Sequence, residues 1–200
     1  GIVLLLFAFV PQFGAEGVWV SVFTAISAFC NAGFDLFGRF GAYSSLVPYV
    51  NNYYVQAVVM FMIMAGGLGF MVWVELAEYR KKRRLSLHAK VVLQFSVIFW
   101  VGGAVLLALL EWSNPRTMGG LSVPGKIMAA LFQSVSTRTA GMNTIDLAAC
   151  SPISKLLMSV LQFIGAAPGS TGGGVKVTTF AVLILTIRSV AQGRDDCVIG

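Results

Sequence analysis

The sequence predicts an all-α membrane protein containing two copies of one unit: a long helix, a short re-entrant helix and a second long helix. Three observations support this fold class. The composition is 57% hydrophobic and 11% charged, with a mean hydropathy of +0.82, whereas soluble domains are about 45–50% apolar and about 25% charged. Two uncharged apolar segments are long enough to cross a bilayer. The order of features in the first half of the chain also recurs in the second half.

The ionisable residues argue against several classes of protein. The net charge is +6, but five of the 14 basic residues form one block, residues 80–84, between two apolar segments. Such a block marks the cytoplasmic side of a membrane protein, so we expect no nucleic-acid partner. One histidine and eight carboxylates form no cluster that suggests an enzyme. The three cysteines have no paired spacing, which indicates neither a disulfide framework nor a zinc site.

Two segments predict complete transmembrane helices. Residues 53–74 carry no charge, and as a helix they would be about 33 Å long, enough to span a bilayer. Residues 91–110 form the second such segment, and the basic loop 80–90 joins the two on the cytoplasmic side. The opening run, residues 2–10, resembles the end of an earlier helix. We therefore expect the chain to be an internal piece of a longer protein.

Three further apolar segments need a different structure. Residues 156–187 contain one charge but would form a helix of about 48 Å, which is too long for one straight span, so we expect a break. Residues 18–34 and 123–142 are shorter and less apolar. Each predicts a short helix that enters the membrane and leaves by the same face, which is tolerated where its backbone is shielded or lines a wet cavity.

A fixed shift along the chain supports the repeat. Moving by 108 residues places Ala32-Gly33 on Ala140-Gly141 and Arg80 on Arg188, so both copies share one order of features. The first copy, residues 1–79, is truncated at its start, with a short helix at about 16–29, a turn at 30–34 and a helix at about 53–78. After the loop 80–90, the second copy, residues 91–192, has helices at about 91–110 and 123–136, a turn at 137–142 and a broken helix at about 152–190. Residues 193–200 are a linker.

The turn after each short helix is a candidate ion-binding site. The two turns contain Cys30, Asn31, Ala32 and Gly33 in the first copy, and Arg138, Thr139, Ala140 and Gly141 in the second. A helix C-terminus carries negative dipole charge, and rings of backbone carbonyls replace the hydration shell of a potassium ion. Alternatively, an Ala-Gly pair merely ends a helix. Its occurrence at the same place in both copies favours ion binding.

A glycine-rich segment interrupts the third apolar run. Its candidate residues are Gly165, Gly169, Ser170, Thr171, Gly172, Gly173, Gly174 and Lys176. A phosphate-binding loop is excluded, because Val175 follows the last glycine where that motif requires lysine. Glycines spaced four apart could instead serve helix packing. Pro168 and three consecutive glycines make a poor helix, which favours a flexible constriction beneath the turns.

Three charged or glycine-rich positions leave alternatives open. Lys176 is either a functional intramembrane cation or a side chain that extends to the interface. Arg138 would oppose cation entry, so we expect it to turn away and bind carbonyls or a carboxylate, with Glu111 or Asp146 as candidate partners. The cluster Gly66-Gly67-Leu68-Gly69 permits either close helix contact or a hinge.

Residues 27–34, 136–141 and 169–180 together closely resemble the Trk/Ktr/HKT superfamily of potassium transporters, above all the Ktr-type membrane subunit of bacteria. The resemblance covers essentially the whole chain. It implies a potassium-channel type of fold with four repeats around one pore, of which this chain would hold most of the second and the third. It also implies that potassium binds the backbone carbonyls of Asn31, Ala32, Gly33, Thr139, Ala140 and Gly141, and that residues 165–174 form a gate.

The resemblance further implies function and partners. We expect potassium uptake across the bacterial plasma membrane by a multi-pass protein, with potassium as the transported ion, sodium as a possible coupling ion in symport, and no organic cofactor. A homodimer and a cytoplasmic nucleotide-binding regulatory ring are the expected partners. Met142 and Pro168 depart from the family pattern, and Pro168 could stiffen the gate. The alternatives are a sodium or mixed-cation transporter of the same fold and a non-conducting scaffold or ion-pump accessory subunit.

Overall fold

The computed structural model describes residues 1–192, and within them the chain is helical without β-strands. This confirms the predicted all-α class. The helices are α1 (Ile2–Phe13), α2 (Glu16–Phe29), α3 (Tyr53–Gly67), α4 (Phe70–Lys82), α5 (Leu87–Glu111), α6 (Val123–Ser136), α7 (Pro152–Phe163) and α8 (Val177–Ala191). Two 3-10 helices, Phe37–Phe40 and Val47–Tyr49, lie between α2 and α3. The linker 193–200, with Cys197, lies outside the described residues.

Polar side chains set the beginnings of four helices. The side-chain oxygens of Asn52, Ser86, Ser122 and Ser151 accept hydrogen bonds from the backbone amides of the first turns of α3, α5, α6 and α7. These caps satisfy amides that have no partner inside a helix. Because Ser86 caps α5, that helix starts at Leu87, before the expected residue 91. The short helices α2 and α6 have the predicted bounds.

The segment 53–78 is not one helix, contrary to the prediction. It forms α3 and α4, which meet at an angle of 99°. Gly69 at the break has φ +85°, a conformation in which residues other than glycine are strained. The amide of Phe70 donates to the carbonyl of Gly169 at 3.0 Å, so a distant segment replaces a helical hydrogen bond. The glycine cluster therefore forms a bend, and it also permits the predicted close helix contact, because a Cβ on Gly66 would overlap the carbonyl oxygen of Phe29 in α2.

The bend changes the number of straight spans. Among residues 1–192, α5 alone is long and apolar enough to cross a membrane by itself, with 25 residues and a mean hydropathy of 2.2 in its most apolar window. The bent pair of α3 and α4 passes the same test only when it is taken as one span. The last apolar run is also divided, into α7 and α8, as its excessive length predicted.

The two short helices lie at the centre of the packing. Helix α2 packs between α1 and α3, and α6 packs between α3 and α5. The main apolar core contains Phe9 of α1, Val59 of α3 and Phe132 of α6, all fully buried. Against α5, the hydroxyl of Ser134 donates to the carbonyl of Trp100 at 2.8 Å. Helices α2 and α6 thus share α3, which brings the turns that follow them to one place.

Candidate functional site

The two turns have the same backbone conformation. In the first turn φ is +50° at Asn31 and +76° at Gly33, and in the second φ is +69° at Thr139 and +77° at Gly141. Left-handed backbone at a residue other than glycine is uncommon, yet it occurs here at matching positions of the two copies. The recurrence seen in the sequence is therefore also a recurrence in backbone geometry.

One serine near the end of each short helix holds the turn that follows. The amide of Ala32 donates to the carbonyl of Ser27, and the amide of Ala140 donates to the carbonyl of Ser136, both at 2.9 Å. The Ser27 hydroxyl also donates to the Phe34 carbonyl at 2.6 Å. The Ser136 hydroxyl donates to the carbonyl of Met142 in the same way. Each serine thus closes its turn by two hydrogen bonds.

The two turns meet backbone to backbone at their glycines. A Cβ placed on Gly33 would lie 2.9 Å from the carbonyl oxygen of Ala140 and 3.0 Å from the Cα of Gly141. A Cβ placed on Gly141 would lie 3.0 Å from the Cα of Gly33. Only glycine combines this approach with a positive φ. Two turns 108 residues apart in the sequence therefore form one junction.

The chemistry available at this junction is that of oxygen ligands. Among the described residues, no group of three or more histidines, cysteines or carboxylates could hold a metal ion. The turns follow the C-terminal ends of α2 and α6, where helix dipoles place negative charge. Carbonyl oxygens in such a field suit a hard alkali cation, and they lack the nitrogen and sulfur ligands of a transition-metal site.

The side chain of Arg138 turns away from the junction. Its Nη2 donates to the carbonyl of Gly165, its guanidinium carbon lies 5.4 Å from the centre of the Phe99 ring, and the residue is only 5% exposed. Neither proposed carboxylate is its partner: within residues 1–192, Glu111 and Asp146 form no ion pair with it. A carbonyl and an aromatic face contact the cation instead.

Glu111 has a different set of partners. This fully buried carboxylate accepts hydrogen bonds from Asn114 Nδ2 and Thr117 Oγ1, both at 2.7 Å. It also accepts from the amide of Ser151 at 2.8 Å and the hydroxyl of Ser154 at 2.5 Å. The last two partners belong to the beginning of α7, where a helix favours an anion. Glu111 therefore fastens the end of α5 to α7.

The glycine-rich segment 165–174 lies against both turns. The amide of Gly173 donates to Thr139 Oγ1 at 2.9 Å. The hydroxyl of Thr171 donates to the carbonyl of Phe29, just before the first turn, at 2.9 Å. A Cβ on Gly172 would lie 3.1 Å from Asn31 Nδ2. The segment is not helical, so the alternative of a helical stripe of small residues is wrong.

The same segment also binds the break between α3 and α4. The amide of Ala167 donates to the carbonyl of Gly67 at 3.0 Å, and the amide of Thr171 donates to the carbonyl of Gly66 at 3.2 Å. The segment thus supplies donors to carbonyls that the broken helix leaves free. Both partners in each of these hydrogen bonds are backbone groups. The sequence therefore does not predict that the two glycine clusters contact each other.

Comparisons with known proteins show the family of the chain. The family model described as TrkH, cation transport protein, matches residues 2–197. The chain belongs to the TrkH cation-transport family. Two relatives of this TrkH-family chain are the potassium/sodium uptake protein NtpJ of Enterococcus hirae, 38% identical over 97% of the chain, and the Ktr system potassium uptake protein B of Vibrio alginolyticus, 41% identical over 99% of it. The chain spans less than half of either relative, 42% and 43% of their lengths.

A solved structure shows the same fold. The potassium transporter TrkH from Vibrio parahaemolyticus superposes with a TM-score of 0.71 at 21% sequence identity, over 99% of this chain and 42% of that one. The likeness extends over nearly the whole chain and shows that the fold is of the TrkH type.

The structure also places two further predicted site residues, Lys176 and Cys30. Lys176 precedes α8 and donates from Nζ to the carbonyl of Gly172 at 2.7 Å, so its side chain folds back on the glycine-rich segment. Cys30 ends α2 with an exposed thiol, and its amide remains in the helix, bonded to Ile26 at 2.8 Å.

Proposed function

We propose that this chain is part of a potassium uptake transporter of the bacterial plasma membrane, in which the two turns are two of its filter loops. The observation that carries the proposal is the junction of Gly33 and Gly141, where two turns of equal conformation meet. Support comes from relatives named as potassium uptake proteins. No enzyme activity and no organic cofactor belong to this proposal.

The ion is held by the backbone in this proposal. The carbonyls of Asn31, Ala32, Gly33, Thr139, Ala140 and Gly141 replace part of the hydration shell of the ion. The chain then contributes the second and third of four repeats, and the remaining ligands come from the other two. The basic loop 80–90 faces the cytoplasm, where a nucleotide-binding regulatory ring binds a homodimer of membrane subunits.

The glycine-rich segment is the gate. Its Thr171 and Gly172 contact the region of the first turn, and its Gly173 contacts Thr139 of the second turn. Lys176 donates to the carbonyl of Gly172, and in this proposal the segment lies on the cytoplasmic side of the junction. Opening requires this segment to leave the turns, and its glycines allow its backbone to change conformation. Deleting residues 169–174 in the complete protein should raise flux; normal expression with unchanged flux would remove the role.

A growth experiment tests the proposed transport. A bacterium without its own potassium uptake systems, carrying the complete protein and its regulatory subunit, should grow at limiting potassium. The Gly141→Ser variant should fail at equal expression, because its side chain would separate the turns. Gly102→Ala is the matched control, since a Cβ there meets nothing within 4 Å. Growth of the Gly141→Ser variant at the wild-type rate would overturn the role of the turn.

Sodium is the second candidate ion. One relative is named a potassium/sodium uptake protein, so transport of sodium, alone or coupled to potassium, is the alternative. Flux into vesicles with potassium and sodium in competition separates the two. Potassium uptake without sodium would indicate a uniport, and potassium uptake that requires sodium would indicate symport.

A further inference from the structure

Two buried polar atoms close to the junction have no hydrogen-bond partner within residues 1–192. One is the donor Nε of Arg138, and the other is the acceptor Oδ1 of Asn31. Arg138 is 5% exposed, so bulk water does not solvate the donor. Buried polar atoms in proteins are almost always paired. A donor and an acceptor that are both unpaired therefore indicate a shared third partner.

Both side chains line the same small cavity. Its volume is about 10 Å³, and its wall also includes Gly67 and Ala166, which belong to the α3–α4 break and to the glycine-rich segment. This volume is at the lower limit for holding one water molecule. The remaining wall is apolar, from Ile63, Trp100 and Val135. The cavity is thus large enough for one small polar molecule between the two turns and the glycine-rich segment.

The donor and acceptor limit what the cavity binds. A cation would be repelled by the guanidinium, and an anion by the amide oxygen of Asn31. Water matches both atoms, because it accepts from Nε–H and donates to Oδ1. We propose that one ordered water molecule joins Arg138 Nε to Asn31 Oδ1. This water bridge holds the glycine-rich segment against both turns and so acts as a lock.

The position of Arg138 explains how the lock acts. Its backbone belongs to the second turn, its Nη2 holds the carbonyl of Gly165 at the start of the glycine-rich segment, and its Nε reaches the first turn through the water. The planar guanidinium supplies donors in fixed directions, which a lysine does not. Arg138 is therefore a positioning residue. This role rests on the proposed function, because it concerns the release of the gate.

The first test is structural and independent of transport. A high-resolution map of the complete protein should contain a density peak between Arg138 Nε and Asn31 Oδ1 at hydrogen-bond distance from both. A cavity without such a peak, or a direct bond between the two side chains, would overturn the water site.

The second test uses tracer flux of rubidium in vesicles containing the complete protein. Asn31→Gly removes the acceptor Oδ1 without straining the backbone, which has φ +50° at this residue. Arg138→Gln removes the guanidinium and its fixed set of donors. Each should raise flux through the resting protein by about 2- to 30-fold, the range for residues that couple two sites. The double variant should have the same resting flux as either single variant, because both substitutions break the same water bridge.

A conservative variant and a control separate a lock from a general structural role. Arg138→Lys keeps the charge but should behave like Arg138→Gln, because lysine does not supply donors in the same fixed directions. Gly102→Ala, where a Cβ meets nothing within 4 Å, should retain low resting flux. The lock would be overturned if the effects of the two substitutions on resting flux multiplied in the double variant. It would also be overturned if Arg138→Lys kept the low resting flux of the wild type. Absence of flux in the wild-type protein would instead count against the proposed function, and the density test would still decide the water site.

Discussion

The substitution Gly33→Ala tests the central contact between the two turns. An alanine Cβ would lie 2.9 Å from the carbonyl oxygen of Ala140, whereas unforced contacts between carbon and oxygen begin at about 3.3 Å. The turns would have to separate by roughly 0.4 Å, and the group that must move is backbone. The displaced oxygen is one of the proposed ion ligands.

Part of the cost of this substitution is unrelated to the contact. Gly33 has φ +76°, and left-handed backbone costs an alanine about 1–2 kcal/mol. Gly14→Ala is the matched control, because Gly14 has φ +59° and a Cβ there meets nothing within 4 Å. Both variants carry the conformational cost, and only Gly33→Ala adds the displacement of Ala140.

The assay is potassium-dependent rubidium flux, together with the unfolding midpoint of the purified complete protein. Both variants should lower the midpoint, and Gly33→Ala should also lower flux at least 10-fold while Gly14→Ala stays near the wild-type flux. A 10-fold loss corresponds to about 1.4 kcal/mol. Wild-type flux and ion selectivity in a well-expressed Gly33→Ala protein would refute the reasoning.

Two further predictions concern the loops between α5 and α7. Glu111→Gln should destabilise the complete protein by about 1–3 kcal/mol, since the amide cannot accept all four buried hydrogen bonds; thermal unfolding should show a far smaller effect for Glu78→Gln, whose ion pair with Lys82 is exposed, and equal shifts would contradict this. Burial, with nearby Glu111, raises the pKa of the Cys150 thiol to about 11. In a protein whose other cysteines are serines, a maleimide at pH 7.5 should therefore label Cys150 at least about 100-fold more slowly than an introduced Tyr43→Cys thiol. The labelling rate of Cys150 should rise about tenfold with each unit increase in pH up to that pKa. Comparable labelling of both thiols at pH 7.5 would show that Cys150 is accessible and ionised.

Local sequence features predicted most helices and both turns. The bounds of α2 and α6 follow from apolar segments that end at an Ala-Gly pair, and the break between α7 and α8 follows from Pro168 and the glycines near it. These features depend on backbone preferences of neighbouring residues, which the sequence displays directly. The repeat added information, because an ambiguous turn becomes informative when it occurs twice.

The partner of Arg138 and the bend at Gly69 were less predictable. Glu111 and Asp146 were reasonable partners by charge, but the guanidinium binds the carbonyl of Gly165. Residues 53–74 carry no charge and predicted one helix, yet Gly69 at the break faces the carbonyl of Pro168 in the glycine-rich segment. In both cases the partner is a backbone group, and backbone groups leave no signature in the amino-acid sequence.

By itself, the sequence determined that this is an apolar, helical chain with two copies of one unit and a turn-forming glycine, Gly33 or Gly141, in each. Tertiary structure alone decided that these two glycines touch, that α3 and α4 bend apart, and that residues 165–174 bind both the bend and the turns. The physical reason is the range of the interactions. Caps and turns depend on residues a few positions apart, whereas the partners in these contacts are separated by 34 to 142 residues in the sequence.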